Sequence, residues 1–230
     1  HRLIRRQRQM CIRDRGYMET KIKICGLFRP EDIEAVNEAE PDFVGFVFYP
    51  KSRRYVSPEK AAELRRNLKP AIKNVGVFVN LPVEQVCDIV RIVQLDIVQL
   101  HGDEDSEYIT ALRDKCAEIS EIWKAVRVNE NLNLADVNKS ASADRFVFDA
   151  YVEGYGGFGK SFDFRLLGNI DSERTILAGG LTSENIGSAV TDYAPYAVDL
   201  SSGAETDGLK DRDKIIDLVN RVRSCSKMNR

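Results

Sequence analysis

Histidine is scarce in this chain: only His1 and His101 occur in 230 residues. A metal centre would have to be built almost wholly from carboxylates and thiols, and no cluster with ligand spacing is present, so no metal is expected. Cysteine lacks any pairing pattern. Cys11, Cys25, Cys87, Cys116 and Cys225 are odd in number and form no Cys-x-x-Cys. That excludes a disulfide framework and points to reduced thiols in a cytoplasmic setting. Long apolar runs are missing too, and nothing approaches the ~18–20 residues of a membrane span. The amino-terminal segment has no apolar h-region and is therefore no secretory signal. A Gly-x-Gly-x-x-Gly after the first strand is also absent, which speaks against a dinucleotide-binding doubly wound sheet.

What is there is a chain of 43% hydrophobic and 30% charged residues, a composition typical of a soluble globular protein with a large core. The first seventeen residues differ from the rest. They carry six arginines against Asp14 alone, and removing that +5 from the formal net charge of −2 leaves −7 for Met18 onward. A basic arm of this kind can bind phosphates, but this one has little serine and no helical apolar stripe. Its Gln9–Arg15 string resembles translated adapter DNA. Residues 1–17 are expected to be a non-native or disordered basic leader without function, with Met18 as the natural start and 18–230 as one domain.

From Met18 the pattern is strand, loop, helix, repeated. Strands are expected at Lys21–Ile24, Phe43–Phe48, Asn74–Val79, Ile97–Leu100, Ile122–Val126, Phe146–Phe148, Thr175–Ala178 and Ala197–Leu200. The run Phe43–Phe48 is apolar throughout, as in a strand buried on both faces. Helices are expected over Pro30–Glu40, from Pro58 with Ser57 as its N-cap, over Val83–Val93, Glu104–Cys116, Leu132–Asn138 (the weakest), Thr182–Val190 and Arg212–Val222. Eight strand–helix units with no linker imply a parallel sheet, and eight units over ~200 residues fit an α/β fold of one (β/α)₈ barrel.

In such a barrel chemistry belongs at the carboxyl ends of the strands. The polar residues there are Cys25, His101, Asp149, Gly179-Gly180 and Ser201-Ser202-Gly203, with Arg54 in the second βα loop. Two glycine- and serine-bearing loops after strands seven and eight suit a phosphate, because glycine lets backbone N–H groups approach the oxygens; they also suit tight turns alone. Cys25 is either a small buried hydrophobe or a thiol facing the mouth. Asp149 is either an N-cap or a general acid. A base and an acid at facing positions beside a phosphate site point to proton transfer on a phosphorylated sugar.

Six segments carry a close resemblance. They are Lys-Ile-Cys-Gly at 23–26, Gly-Phe-Val-Phe-Tyr-Pro-Lys-Ser-Arg-Arg-Tyr at 45–55, Val-Gly-Val-Phe-Val-Asn at 75–80, Val-Gln-Leu-His-Gly at 98–102, Leu-Ala-Gly-Gly-Leu at 177–181 and Val-Asp-Leu-Ser-Ser-Gly-Ala-Glu at 198–205. Together they resemble the phosphoribosylanthranilate isomerases of tryptophan biosynthesis, in family order from Lys21 to about Val222.

The resemblance implies a TIM barrel catalysing an Amadori rearrangement by general acid–base chemistry, with no metal or organic cofactor. The aminoaldose N-(5-phosphoribosyl)anthranilate becomes the carboxyphenylamino-deoxyribulose phosphate. On the family pattern Asp149 is the general acid that opens the furanose ring and Cys25 the general base that removes the C2 proton. Arg54 holds the anthranilate carboxylate, and Asp199 orients the sugar or the catalytic groups. Gly179, Gly180, Ser201, Ser202 and Gly203 grip the phosphate. His101 has the family position, either touching substrate or packing beneath the pocket. The implied partner is a small phosphoribosyl substrate, with no nucleic acid and no membrane, for a monomer or homodimer.

The chain departs from the pattern at Phe158 in the glycine-rich loop 154–160, at Phe164, and at Leu27-Phe28-Arg29. Two rival classes remain. Another phosphosugar barrel would need metal-binding histidines, as an epimerase does, or an aspartate where strand one ends in Cys25. A non-catalytic phosphate-ester binder would bind without turnover.

Overall fold

Alternation along the first strand, β1 (Lys21–Cys25), sets the architecture. Ile22 and Ile24 join the large apolar layer between sheet and helices, whereas Lys21, Lys23 and Cys25 face the opposite side. In a closed sheet that side is the barrel interior. The computed structural model describes residues 19–128, 137, 140–149 and 171–228, with no side-chain description for 227 and 228. The expected leader, loop 154–160, Phe158, Phe164 and, apart from Val137, the helix expected over 132–138 lie outside the described residues.

Within them the chain runs β1, α1 (Pro30–Ala39), β2 (Phe43–Val47), α2 (Pro58–Arg66), β3 (Lys73–Phe78), α3 (Val83–Val93), β4 (Ile97–Leu100), α4 (Ser106–Lys115), β5 (Glu121–Arg127), β6 (Arg145–Asp149), β7 (Thr175–Ala178), α5 (Ile186–Tyr193), β8 (Ala197–Leu200), a short hairpin β9 (Glu205–Thr206) and β10 (Leu209–Lys210), and α6 (Arg212–Met228). Strands β1 to β8 form a closed parallel barrel in sequence order, and β8 returns to β1 with Lys23 opposite Asp199. The expected (β/α)₈ architecture is therefore the observed one. Phe43, Val75, Ile97, Trp123, Val147 and Ile176 fill its interior.

A recurrent carboxylate fixes the strand starts. Asp42, Asp96 and Asp144 each stand immediately before β2, β4 and β6. Each accepts the backbone N–H of the second residue of the preceding strand: Ile22 at 2.8 Å, Asn74 at 2.9 Å and Ile122 at 2.7 Å. Such charge-assisted bonds are the stronger kind, and they pin strand register in pairs.

Several boundaries differ from expectation for local reasons. Glu104 does not begin α4. Its carboxylate turns inward to accept from Asn80 N, Gly102 N and Lys124 Nζ, and Asp105 caps the helix by accepting from Tyr108 N. The helix expected from Thr182 starts at Ile186. The Asn185 side chain bridges Thr182 N and Gly180 O and holds 182–185 as a turn. Ser57 caps α2 by accepting from Lys60 N, and Pro58 takes the first helical position, both as expected.

Candidate active site

The carboxyl end of the barrel gathers polar side chains that alternation alone would send inward. On β1, Lys23 and Cys25 share the interior face. On β4, Gln99 and, just past the strand, His101 do the same, and Asp199 enters from β8 and Asp149 ends β6. Lys23 is fully buried. Its ammonium donates to Asp199 Oδ2 at 2.8 Å and to Gln99 Oε1 at 2.7 Å, and its charge acts on the Cys25 thiol on the same face.

An ammonium can only donate, so the carbonyl oxygen of Gln99 must face Lys23. Its amide nitrogen then lies 3.4 Å from His101 Nδ1, which acts as the acceptor. The proton of a neutral His101 therefore sits on Nε2, 3.6 Å from Asp149 Oδ2. Lys23, Gln99, His101 and Asp149 thus follow one another across the mouth, with Cys25 beside Lys23.

Burial dominates the ionisation of the Cys25 thiol and pushes it up, with Asp199 adding to the rise and Lys23 and Lys210 opposing it. Burial also works against the charge on Lys23, but Asp199 and Cys25 outweigh it and raise its pKa. Asp199 Oδ1 is buried and has no hydrogen-bond partner among the described residues. Room for the thiol comes from β2: a Cβ on Gly45 would lie 2.7 Å from Cys25 Sγ.

Arg54 approaches from the second βα loop over Gly26, where a Cβ would come within 2.3 Å of Arg54 Cδ. Its Nε and Nη2 are held side-on by Glu205 at 2.7 and 3.0 Å. Glu205 also accepts from Lys210 Nζ at 2.7 Å and from Arg53 Nη2. Burial works against that carboxylate, but Arg54 and Lys210 win and hold its pKa down at about 2. Arg29, one of the departures from the family pattern, donates to Asp32 and to Lys210 O, so it ties the first βα loop to the β9–β10 hairpin.

The seventh and eighth βα loops touch. A Cβ on Gly203 would fall 2.0 Å from Leu181 O, so only glycine permits the contact. Gly179 and Gly180 take φ of +82° and +64°, the left-handed region that glycine enters freely. A Cβ on Gly180 would meet nothing within 4 Å, so this backbone borders open space. Ser202 opens a 3₁₀ turn, Ser202–Ala204, and Ser201 Oγ donates to Cys25 O at 3.3 Å.

Every residue singled out from the sequence therefore lies at the carboxyl end of the barrel. Lys23, Gln99, Gly45, Glu205 and Lys210 were not singled out. Lys23 and Gln99 stand two positions before Cys25 and His101, so period-two alternation was the signal that could have found them.

Comparison with known proteins bears on this arrangement. Residues 22–221 match the family model described as N-(5'phosphoribosyl)anthranilate (PRA) isomerase. The chain is 50% identical over 213 residues to N-(5'-phosphoribosyl)anthranilate isomerase of Acetivibrio thermocellus, covering 90% of this chain and 97% of that protein. Phosphoribosyl anthranilate isomerase from Thermotoga maritima has a similar solved structure, with TM-score 0.77 and 38% identity over 89% of this chain and 99% of that one. A phosphoribosyl anthranilate isomerase solved in complex with reduced 1-(o-carboxyphenylamino)-1-deoxyribulose 5-phosphate is also similar, with TM-score 0.75 and 36% identity over 89% and 99% of the two chains.

Proposed function

The chain belongs to the N-(5'-phosphoribosyl)anthranilate isomerase family, and from that premise we propose how its own residues carry out the Amadori rearrangement of tryptophan biosynthesis. The observation that supports the reading is the run of polar side chains from Lys23, beside Cys25, through Gln99 and His101 to Asp149 at the carboxyl end of the barrel. Asp149 is read as the acid and Cys25 as the base.

Asp149 protonates the furanose ring oxygen, and the C1–O bond opens to a Schiff base. Cys25 then takes the proton from C2, the enolamine forms, and it tautomerises to the ketone. One proton is given and one is taken, so the enzyme ends the cycle neutral overall once protons re-equilibrate with solvent.

Arg54 offers the anthranilate carboxylate the edge of its guanidinium not occupied by Glu205, a planar donor pair suited to a carboxylate. Gly179, Gly180, Ser201, Ser202 and Gly203 present backbone N–H groups to the phosphate where the two loops meet. The buried free oxygen of Asp199 orients the sugar. The protein acts on this small phosphoribosyl substrate in the cytoplasm, as a monomer or homodimer. No helix among the described residues is long and apolar enough to cross a membrane.

The test is turnover. The labile aminoaldose is generated from anthranilate and phosphoribosyl pyrophosphate by a transferase, and the fall in its anthranilate-type fluorescence is followed on adding the protein. A protein-dependent fall with formation of the ketose is the expected result. Binding of the aminoaldose without any fall would overturn the reading.

A further inference from the structure

A lysine with no solvent exposure inside a barrel needs a reason. Its charge is costly to bury, and each of its three N–H groups needs an acceptor. Lys23 meets two of these demands with Asp199 and Gln99, which anchor the ammonium at fixed distances of 2.8 and 2.7 Å. Beside it is the thiol assigned above as the base: a Cβ on Gly45 would lie 2.7 Å from Cys25 Sγ and 3.2 Å from Lys23 Cε. If the lysine served packing alone, a neutral apolar residue of similar volume opposite a neutral residue 199 would fill the space at lower cost.

We propose that Lys23 is a positioning residue for the isomerisation. Its ammonium, anchored by Asp199 and Gln99 beside Cys25, opposes the effect of burial and eases formation of the thiolate that takes the C2 proton. The proposal rests on the reading of Cys25 as the base. In the step served, the C2–H bond breaks and its proton forms the S–H bond of Cys25. The released electron pair becomes the C1–C2 double bond of the enolamine, and the C1–N π pair passes to nitrogen.

The groups facing the thiol have opposite effects on it. Lys23 lies on the same strand, Asp199 on β8 and Lys210 on β10. Strand β2 contributes only the uncharged Gly45, and β4 contributes Gln99, beyond which lie His101 and Asp149. Burial and Asp199 favour the neutral thiol; Lys23 and Lys210 favour the thiolate. Lys23 and Asp199 should therefore move the thiol in opposite directions when neutralised, although they bond to each other.

The experiment is peptide-resolved alkylation of Cys25 by iodoacetamide as a function of pH in the intact protein, alongside kcat and KM. In Lys23→Met the alkylation midpoint moves to higher pH, with a rate at about pH 7.5 lower by about tenfold or more. Its kcat falls about 100-fold with KM little changed. In Asp199→Asn the midpoint moves to lower pH. If Lys23→Met fails to fold because Asp199 is left buried and unpaired, the double variant Lys23→Met/Asp199→Asn removes both charges. Its midpoint still lies above that of the wild type.

An unmoved midpoint in the double variant overturns the proposal. So does faster alkylation in both single variants, the mark of loosened packing alone. Retained turnover in Cys25→Ala would instead overturn the reading of Cys25 as the base, whatever the alkylation shows.

Discussion

The two ends of the barrel use the same kinds of residue for opposite purposes. At the amino end, Lys21 and Arg145 lie over Tyr196, 4.7 and 3.4 Å from the ring centroid, and Lys21 donates to the Tyr196 hydroxyl at 3.1 Å. Glu121 holds both Arg145 and the indole N–H of Trp123, and Trp123 meets Phe43 edge-on at 5.1 Å. Glu121 pairs with Arg145, and both cations lie against aromatic faces, so this end is a plug. At the carboxyl end, Lys23 is held by a carboxylate that keeps one oxygen free, and it shares the interior face with the Cys25 thiol. Glu205 there carries Arg53, Arg54 and Lys210, leaving an excess of positive charge. The difference is one of completeness. Polar groups satisfied by one another stabilise, whereas an end with a free oxygen and surplus cations is prepared for a ligand.

Substitutions can break that contrast. The largest effect is expected at the carboxyl end: Cys25→Ala and Asp149→Ala each lower kcat by about 10²–10⁴-fold in the fluorescence assay. Both side chains are only partly buried, so thermal unfolding should stay close to wild type. Melting that fell together with activity would erase the distinction between the ends.

Next comes the amino end. Trp123→Ala removes a fully buried indole and should cost about 3–5 kcal/mol of stability in urea unfolding. The kcat of the protein that remains folded should be unchanged.

A third effect concerns acid. Glu205 is held at about 2 against an ordinary 4.5, so its stabilisation is complete above pH 4.5. It shrinks as pH falls and is gone below about 2. The loss amounts to about 3 kcal/mol of unfolding free energy. Glu205→Gln should flatten that part of the profile and raise KM, because Arg54 loses its anchor.

The smallest effect is at Lys21. Replacing it by Met should cost about 0.5–2 kcal/mol, the size of its cation–aromatic contacts, and leave kcat alone.

Position at the barrel's carboxyl end was legible in the sequence where a strand run visibly stops. Cys25-Gly26, His101-Gly102 and Asp149 each follow an apolar run, so their place at the strand ends was legible. Lys23 and Gln99 lie inside strands, where a polar residue carries no sign of whether it meets solvent or an interior. Glu205 reads as an ordinary surface acid until the β9–β10 hairpin folds it beneath Arg54. The aspartates before β2, β4 and β6 were in plain view, but their role depends on a neighbouring strand.

Sequence by itself determined the eight barrel strands, where they end, and that a thiol, a carboxyl group and glycine loops stand at those ends. Local periodicity and turn chemistry encode those features within a few residues. Only the tertiary structure decided which polar groups meet. Closure of β8 on β1 brings Lys23 to Asp199 across 176 positions, and the barrel interior excludes the water that would otherwise satisfy them. Partners so distant in the chain, chosen by the loss of water, leave no local pattern to read.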